Sequence, residues 1–290
     1  MPLDSSELIL NADGSIYHLN LLQEDIATTI IIVGDQNRVE KVSKYFDSVE
    51  TKKGKREFLT HTGTLNGKRL SVVSTGIGTD NIDIVLNELD ALANLDFENR
   101  TVKTKKTVMD FVRIGTSGAI QADIDVDSFL LSEYAIGFDG LLHYYKSKEV
   151  QHLEISKAFI DCTNWDSDKP TPYVVKCDET LSSQLTSNHI RFGMTGTNIG
   201  FYGPQGRKLR LKMSDKDLNE KLTSFEFDGM KITNLEMETS AIYGLSKLLG
   251  HRAVSMNCIL ANRVTGAFSE NPKKAVDGLI QYTLKKLTSL

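Results

Sequence analysis

The chain has 290 residues, which is enough for one large α/β domain or two small ones. Hydrophobic residues make up 40% and charged residues 25%, so a globular protein with a core of its own is expected. A formal net charge of −4 argues against a nucleic-acid partner, and no apolar run approaches the ~20 residues that a membrane helix needs.

Segments typical of strands and of helices alternate along the chain. Short apolar and β-branched runs predict strands at residues 29–33, 70–74, 108–114, 129–136, 189–195 and 253–260. Apolar residues at helical spacing predict helices near residues 39–46, 82–92, 242–249 and 276–287. The alternation predicts one α/β domain over residues 1–290, with a largely parallel sheet covered by helices.

Three of the predicted strands are followed by a glycine-containing turn: Gly34-Asp35, Gly76-Ile77-Gly78 and Gly115-Thr116-Ser117-Gly118. Glycine lets the backbone approach a ligand closely, and the free N–H groups of a helix start favour an anion. Arg38 and Arg113 lie beside two of these turns, and guanidinium groups bind phosphate through paired hydrogen bonds. The alternative for each turn taken alone is a tight connection whose arginine pairs with a surface acid.

Two further segments carry polar groups suited to a nucleoside. Glu236 and Glu238 precede an apolar helix and could accept hydrogen bonds from sugar hydroxyls, or could simply complement the helix dipole. Residues 201–207 read Phe-Tyr-Gly-Pro-Gln-Gly-Arg, which offers an aromatic ring and polar groups for a planar base, or a surface turn.

Other common kinds of site lack support in the sequence. No GxGxxG follows the first strand, and no GxxxxGK[ST] or GxSxG occurs. The histidines lack metal-ligand spacing, and the three cysteines form no CxxC pair, so we predict no metal site and a reducing compartment. The N-terminal residues do not resemble a secretion signal, and we therefore expect a cytoplasmic protein.

Taken together, the segments resemble the nucleoside phosphorylase family, and within it the uridine phosphorylase branch. The segments that match, in order, are IYHLNL, IIVGDQNRVEKV, GKREF, VVSTGIGTDNIDIVLNEL, VRIGTSGAIQADIDVDSFLL, FYGPQGR, NLEMETSAIYGLS and ILANRV. The resemblance implies a single-domain fold with a mixed sheet curled toward a barrel and flanked by helices. It also implies a pentosyltransferase that cleaves uridine with inorganic phosphate, with inversion through an oxocarbenium-like transition state.

The resemblance assigns a role to each matching position. Phosphate would contact Gly34, Arg38, Arg113, Gly115 and Thr116, together with Arg56 from a partner subunit. Ribose would contact Met237, Glu238 and Glu236, together with His18 from the partner. The base would contact Phe201, Gln205, Arg207, Leu260, Ala261 and Arg263. Arg113, Thr116, Glu238 and Arg207 would carry the catalysis.

Sites shared between subunits imply a homodimer as the minimum unit, with a hexamer as a further option. No cofactor is expected besides phosphate as co-substrate. The residues after Gly78 differ from the family pattern, which argues against the monovalent cation that some relatives hold at the subunit interface.

Alternative functions concern the base, the nucleophile and catalysis itself. Purine-specific relatives usually place an aspartate in the late strand-end motif, whereas residues 260–264 read Leu-Ala-Asn-Arg-Val and contain no acid. A nucleosidase would use water as its nucleophile, and hydrolytic relatives lack the full set of Arg38, Arg56 and Arg113. A nucleoside-binding protein without activity would keep the fold but show no phosphate-dependent turnover.

Overall fold

The structure, a computed structural model, describes residues 2–288. Its strands are β1 (Thr29–Val33), β2 (Ser48–Lys55), β3 (Phe58–Leu65), β4 (Lys68–Ser74), β5 (Leu95–Asp96), β6 (Thr101–Val102), β7 (Asp110–Ala119), β8 (Phe129–Gly137), β9 (Tyr173–Lys176), β10 (Ile190–Thr197), β11 (Glu226–Phe227), β12 (Met230–Glu236) and β13 (Arg252–Asn262). Its α-helices are α1 (Gln36–Ser43), α2 (Thr79–Asn94), α3 (Leu153–Thr163), α4 (Glu179–Leu185), α5 (Leu218–Ser224), α6 (Thr239–Leu248) and α7 (Pro272–Thr288).

The main sheet is mixed, and part of it closes on itself. Its strand order is β2-β3-β4-β1-β7-β13-β8-β10-β12-β11, with β9 paired to β8. A short antiparallel pairing of β12 with β7 joins β7, β13, β8, β10 and β12 into a ring. The expected mixed sheet curled toward a barrel is therefore confirmed, although the ring closes over only two residue pairs and is not a continuous barrel.

Parallel pairing gathers strand ends at one edge of the sheet. Strand β1 pairs in parallel with β4 and β7, and β13 pairs in parallel with β7. The pairs Gly118–Leu235 and Ala119–Asn234 bring the last residues of β7 beside the last residues of β12. Because ligands bind at the carboxyl ends of strands in α/β sheets, this edge is where a site is expected.

Helices bury both faces of the central strands. Every residue of β1 is buried, as expected for a strand covered on both sides. The predicted apolar face of α2 is confirmed, since the five residues that define it are all buried: Ile82, Val85, Leu86, Leu89 and Leu92. A second, smaller core lies between β8, β10 and β12 on one side and α3 and α5 on the other.

Some predicted boundaries differ from the structure. Strand β7 continues through Ala119, so Gly115–Gly118 is extended strand and not the predicted turn. The hairpin of β2 and β3 escaped the strand prediction because β2 is a polar, half-exposed strand at the sheet edge. Trp165, in the segment after α3, stacks on Phe138 of the second core with ring centroids 5.2 Å apart.

The basic stretch at residues 98–107 ties down the N-terminal segment. Arg100 donates hydrogen bonds to three backbone carbonyls, those of Leu3, Asp4 and Leu8. Lys103 donates to the carbonyl of Ala93 at the end of α2. The stretch is therefore a connection that makes structural contacts of its own. No helix within residues 2–288 combines the length and apolarity needed to cross a bilayer.

Tyr243 in α6 makes a hydrogen-bonded bridge across the core, and its removal should destabilise the fold. Its buried hydroxyl donates to the carbonyl of Ser132 at 2.5 Å and accepts from the N–H of Ser255 at 2.8 Å. Tyr243→Phe leaves both backbone groups without a partner, which should lower the free energy of unfolding by about 1–3 kcal/mol. Urea unfolding followed by circular dichroism measures this loss.

A matched control is Tyr144→Phe, which removes a hydroxyl from a side chain that is 89% exposed. We expect the control to change stability by less than about 0.5 kcal/mol. Equal stability of both variants would show that the Tyr243 bridge contributes nothing.

Candidate active site

A cleft of about 890 Å³ opens at the carboxyl ends of β1, β4, β7, β12 and β13. Its walls bring together residues that are far apart in the chain. Among the residues expected from the sequence, the cleft is lined by Gly34, Arg38, Arg113, Thr116, Phe201, Gln205, Arg207, Glu236, Met237, Glu238, Leu260 and Ala261. The structure thus places the expected phosphate, ribose and base residues around one cavity.

At one end of the cleft, the first glycine turn leads into α1. Asp35 caps this helix by accepting a hydrogen bond from the N–H of Asn37, and Gly34 lies just before it. Arg38, in the first turn of α1, donates from Nη1 to the carbonyl of Ile114 at 3.2 Å, while its buried Nε has no hydrogen-bond partner among residues 2–288. Burial, and then the nearby charge of Arg113, lower the pKa of Arg38. A bound anion in the cleft would oppose both effects and raise the pKa of Arg38 again.

Arg113 lies at the centre of a buried polar network. Its Nη2 lies 2.5 Å from Oε2 of Glu238 and 3.1 Å from Oε2 of Glu236. Its Nη1 donates to Oδ1 of Asn257 at 3.0 Å and approaches the hydroxyl of Ser255 at 3.4 Å. Burial opposes the charge of Arg113, but the two carboxylates raise its pKa above the ordinary value. The guanidinium is therefore held in one orientation on the wall of the cleft.

The glycine two residues after Arg113 makes room for this guanidinium. Arg113 and Gly115 lie on the same face of β7, because side chains two residues apart in a strand point the same way. A Cβ at Gly115 would overlap the guanidinium carbon and both of its terminal nitrogens. The structure thus shows a packing role for Gly115, and its expected direct phosphate contact stays a prediction.

Glu238 connects Arg113 to the second glycine turn. Its Oε1 accepts a hydrogen bond from the backbone N–H of Gly78 at 2.9 Å, while Oε2 faces Arg113. Burial raises the pKa of the Glu238 carboxyl, and Arg113 opposes that rise. A carboxylate held between a cation and a backbone donor is pre-oriented, with lone pairs left for a hydroxyl group of a ligand.

Glu236 lines the cleft, and its carboxylate also has hydrogen-bond partners within the protein. Its carboxylate accepts hydrogen bonds from the backbone N–H groups of Glu238 and Thr239 and from the hydroxyl of Thr197. It therefore satisfies free N–H groups at the start of α6, where a carboxylate is also favoured by the helix dipole. Glu236 fixes the turn that presents Met237 and Glu238, and this is its main contribution to the site.

The opposite end of the cleft is formed by the segment around Phe201. The guanidinium of Arg207 lies 3.9 Å from the ring centroid of Phe201 and donates to Oε1 of Gln205 at 2.5 Å. Gln205 is buried, while Phe201 is half exposed. Because Arg207 holds the Gln205 oxygen, the Gln205 amide NH₂ is oriented as a donor for a ligand in the cleft.

Arg263 lies next to this end without lining the cleft. Burial, and then the charge of Arg207, lower the pKa of Arg263 to about 10. Its buried Nη1 has no partner within the part of the chain that the structure describes. The side chain of Arg263 lies beside Gly118, which lines the cleft, and its expected contact with a base stays a prediction.

His18 and Arg56 lie outside the cleft of their own chain. His18 Nδ1 lies 2.6 Å from Glu88 Oε1 on α2, and the backbone N–H of His18 also donates to Glu88. Arg56 is exposed at the turn between β2 and β3, where Gln36 donates to its carbonyl at 3.2 Å. Neither residue is among those that line the cleft of its own chain, and their contribution to a partner's site stays a prediction.

Two apolar side chains at the mouth of the cleft were missed in the sequence. Ile77 and Phe268 line the cleft although they are 68% and 75% exposed. Ile77 lies between Gly76 and Gly78 of the second glycine turn, and this position could have identified it as a residue of the cleft. Phe268 lies in an irregular segment after β13, where no periodic pattern marks it.

The comparisons with known proteins agree with this geometry. The family model described as the phosphorylase superfamily matches residues 28–285. The chain belongs to the phosphorylase superfamily. The uridine phosphorylase of Thermococcus kodakarensis is 29% identical over 279 residues, which cover 93% of this chain and 86% of that enzyme. The uridine phosphorylase of Haemophilus influenzae is 28% identical over 282 residues and covers 96% of both chains.

A solved structure of the superfamily matches the whole architecture. The crystal structure of a Trypanosoma brucei nucleoside phosphorylase that shows uridine phosphorylase activity has a TM-score of 0.88 at 29% identity. The match covers 98% of this chain and 100% of that one. The resemblance to nucleoside phosphorylases seen in the motifs is therefore confirmed, and so is the fold of this superfamily member.

The polar groups of this phosphorylase-superfamily cleft suit group transfer by positioning and charge. Arg38 and Arg113 provide fixed cations at one end, and Gln205 and Arg207 provide donors at the other. Within residues 2–288, no group of three or more histidine, cysteine, aspartate or glutamate side chains is arranged to hold a metal ion. The described side chains thus offer hydrogen bonds and charge for stabilising a transition state.

The role of Gly115 predicts a large effect for a very small substitution. Gly115→Ala displaces Arg113 and leaves Glu238 as a buried charge without its partner. We expect the free energy of unfolding to fall by about 3 kcal/mol, as for other broken buried ion pairs. Urea denaturation of the purified variant measures this difference.

Gly118→Ala on the same strand is the matched control, because a Cβ there would meet no atom closer than 3.7 Å. Its stability should lie within about 1 kcal/mol of the original chain. If Gly115→Ala proved as stable as Gly118→Ala, the account of how Arg113 is positioned would be wrong.

Proposed function

We propose that this chain is a uridine phosphorylase, which cleaves uridine with inorganic phosphate to give uracil and ribose 1-phosphate. The observation that carries the proposal is the set of groups that one cleft brings together. Arg38, Arg113 and Glu238 form one cluster in it, and Gln205 and Arg207 form another. The first cluster suits an anion and a sugar, and the second suits a polar planar base.

The phosphate end would position the nucleophile. Gly34 leaves the backbone open at the start of α1, and Arg38 and Thr116 line the same end of the cleft. Phosphate held under C1′ would stabilise positive charge on the sugar as the glycosidic bond breaks, and would then form the new bond on that face with inversion. The electron pair of the broken bond leaves with the base.

The ribose end of this arrangement rests on Glu238. Its carboxylate is fixed by Gly78 and Arg113, so it would accept a hydrogen bond from a sugar hydroxyl without first being ordered. Met237 lines the cleft beside it and would pack against the sugar. Because Arg113 contacts Glu238 directly, the sugar and phosphate subsites share one guanidinium.

The base end would stabilise the leaving group. Uracil departs with negative charge on its carbonyl oxygens and ring nitrogens. The Gln205 NH₂ group and the Arg207 guanidinium are hydrogen-bond donors that stabilise this charge. Phe201, Leu260 and Ala261 supply apolar surface for the ring. Arg263 would act indirectly, through its charge and its contact with Gly118.

The late strand end supports a pyrimidine over a purine. Asn262 is buried, and its amide donates to the carbonyls of Gln121 and Ile124 at 2.8 Å. Its oxygen accepts from the N–H groups of Val264 and Thr265. This asparagine is used for holding the turn, and the stretch 260–264 offers no acid that would protonate a purine ring.

The positions of His18 and Arg56 support a shared site. Neither residue is among those that line the cleft of its own subunit, so a neighbouring copy would supply them to complete the ribose and phosphate subsites. We therefore propose a homodimer as the minimum active unit. No cofactor beyond phosphate is proposed, and a cytoplasmic location stays a prediction.

Release of uracil from uridine, with and without inorganic phosphate, tests the proposed function. We expect uracil to appear only when phosphate is present, accompanied by an equal amount of ribose 1-phosphate, because phosphate and not water attacks C1′. Chromatography of the products measures both. Inosine is the control substrate and should give no hypoxanthine above the background.

Each of the other possible results would indicate a different function for this chain. Uracil release without phosphate would mean a hydrolase, and activity on inosine alone would mean that the base end was misinterpreted. Binding of uridine with no release in either condition would contradict the enzyme proposal and indicate a nucleoside-binding protein.

A further inference from the structure

A second cavity of about 440 Å³ lies between α1 and α7, next to the phosphate end of the cleft. Arg38, Thr116 and Leu260 line both cavities, so the two spaces meet at these three side chains. The phosphate end of the site is therefore bordered by a second hollow, distinct from the mouth that Phe201 and Phe268 border.

The walls of this second cavity are strongly basic. Five cationic side chains line it, against a single carboxylate, that of Asp277: Arg38, Lys41, Lys44, Lys273 and Lys274. Lys44 is neutralised by Asp277, with Nζ and Oδ1 2.7 Å apart. Lys41, Lys273 and Lys274 are exposed and have no carboxylate within ion-pair distance among residues 2–288. This local charge contrasts with the net charge of −4 of the whole chain.

Helix geometry directs the positive charge toward the catalytic cleft. Arg38 and Lys41 are three residues apart in α1 and therefore lie on one face of the helix. Lys273 and Lys274 stand in the first turn of α7, across the cavity from them. Of these cationic side chains, Arg38 is the one that also lines the catalytic cleft. Its buried Nε has no hydrogen-bond partner within the part of the chain that the structure describes.

The two openings differ in the chemistry that they favour. The mouth of the main cleft carries the exposed apolar side chains of Ile77, Phe201 and Phe268, which suit a neutral, partly apolar nucleoside. The second cavity carries uncompensated lysines, which suit a small anion. A phosphate ion approaching an acidic protein gains most where a cleft is lined by charge of the opposite sign.

We propose that Lys41, Lys273 and Lys274 form a basic channel that concentrates inorganic phosphate and delivers it to Arg38, separately from the nucleoside opening. This inference rests on the proposed function, because it takes phosphate as the co-substrate. The lysines act over a distance and through solvent, so their contribution is electrostatic and sensitive to salt. They attract the anion, while Arg38 and Arg113 hold it for the reaction.

The test compares two triple variants that lose the same charge. The channel variant is K41Q/K273Q/K274Q, and the matched control is K105Q/K106Q/K148Q, whose three exposed lysines line neither cavity. The measured quantities are kcat/KM for phosphate at saturating uridine and kcat/KM for uridine at saturating phosphate. Both are measured at about 0.01 M and about 1 M salt, where the Debye length is about 30 Å and 3 Å.

For the channel variant, we expect kcat/KM for phosphate to fall about tenfold at low salt, with kcat/KM for uridine unchanged. The difference should disappear at high salt, and the control variant should match the original chain. An equal loss in the control variant, a loss that persists at high salt, or no loss at all would overturn the proposal.

Calorimetric titration with inorganic phosphate separates this inference from the proposed function. If the original chain binds phosphate but shows no phosphate-dependent turnover, the proposed function fails while the channel is still tested by binding. In that case weaker phosphate binding by the channel variant than by the control supports the channel, and equal binding overturns it.

Discussion

One buried ion pair determines how the site is built. Arg113 and Glu238 come from β7 and from the start of α6, and their side chains meet at 2.5 Å with almost no exposure to solvent. Such a pair is costly to desolvate and is stable only when its other hydrogen bonds are made. Asn257, Ser255, Glu236 and Gly78 make them, so that four separate segments are fixed relative to one another.

The Arg113–Glu238 ion pair also explains why the proposed phosphate and sugar subsites lie next to each other. Gly115 has no side chain because the guanidinium of Arg113 occupies that position, and Glu236 is buried because it holds the turn before Thr239. The pair thus provides a cation for the proposed phosphate subsite and a carboxylate for the proposed sugar subsite. At the base end, Arg207 orients Gln205 in a similar way, although that segment is more exposed.

Much of this arrangement could be predicted from the sequence, and the failures have physical causes. The buried strand Thr29–Val33 and the apolar face of α2 were predictable because burial imposes a clear period. The strand through Gly115–Gly118 was predicted as a turn, because glycine is common in turns and the sequence alone does not show that it lies in a strand here. The roles of Glu236 and Arg263 depend on hydrogen bonds and burial made by distant segments, which no local pattern contains. Phe268 borders the cleft from an irregular segment and was missed for the same reason.

The most direct measurement is a double-mutant cycle on the central ion pair, with Arg113→Gln, Glu238→Gln and both together, and kcat/KM for phosphate-dependent uracil release as the readout. If the two side chains act as one unit, each single change should remove most of the activity and the double change should cost little more. The coupling free energy would then be at least about 2 kcal/mol. Losses that simply add would contradict the account, because Arg113 and Glu238 would then contribute independently.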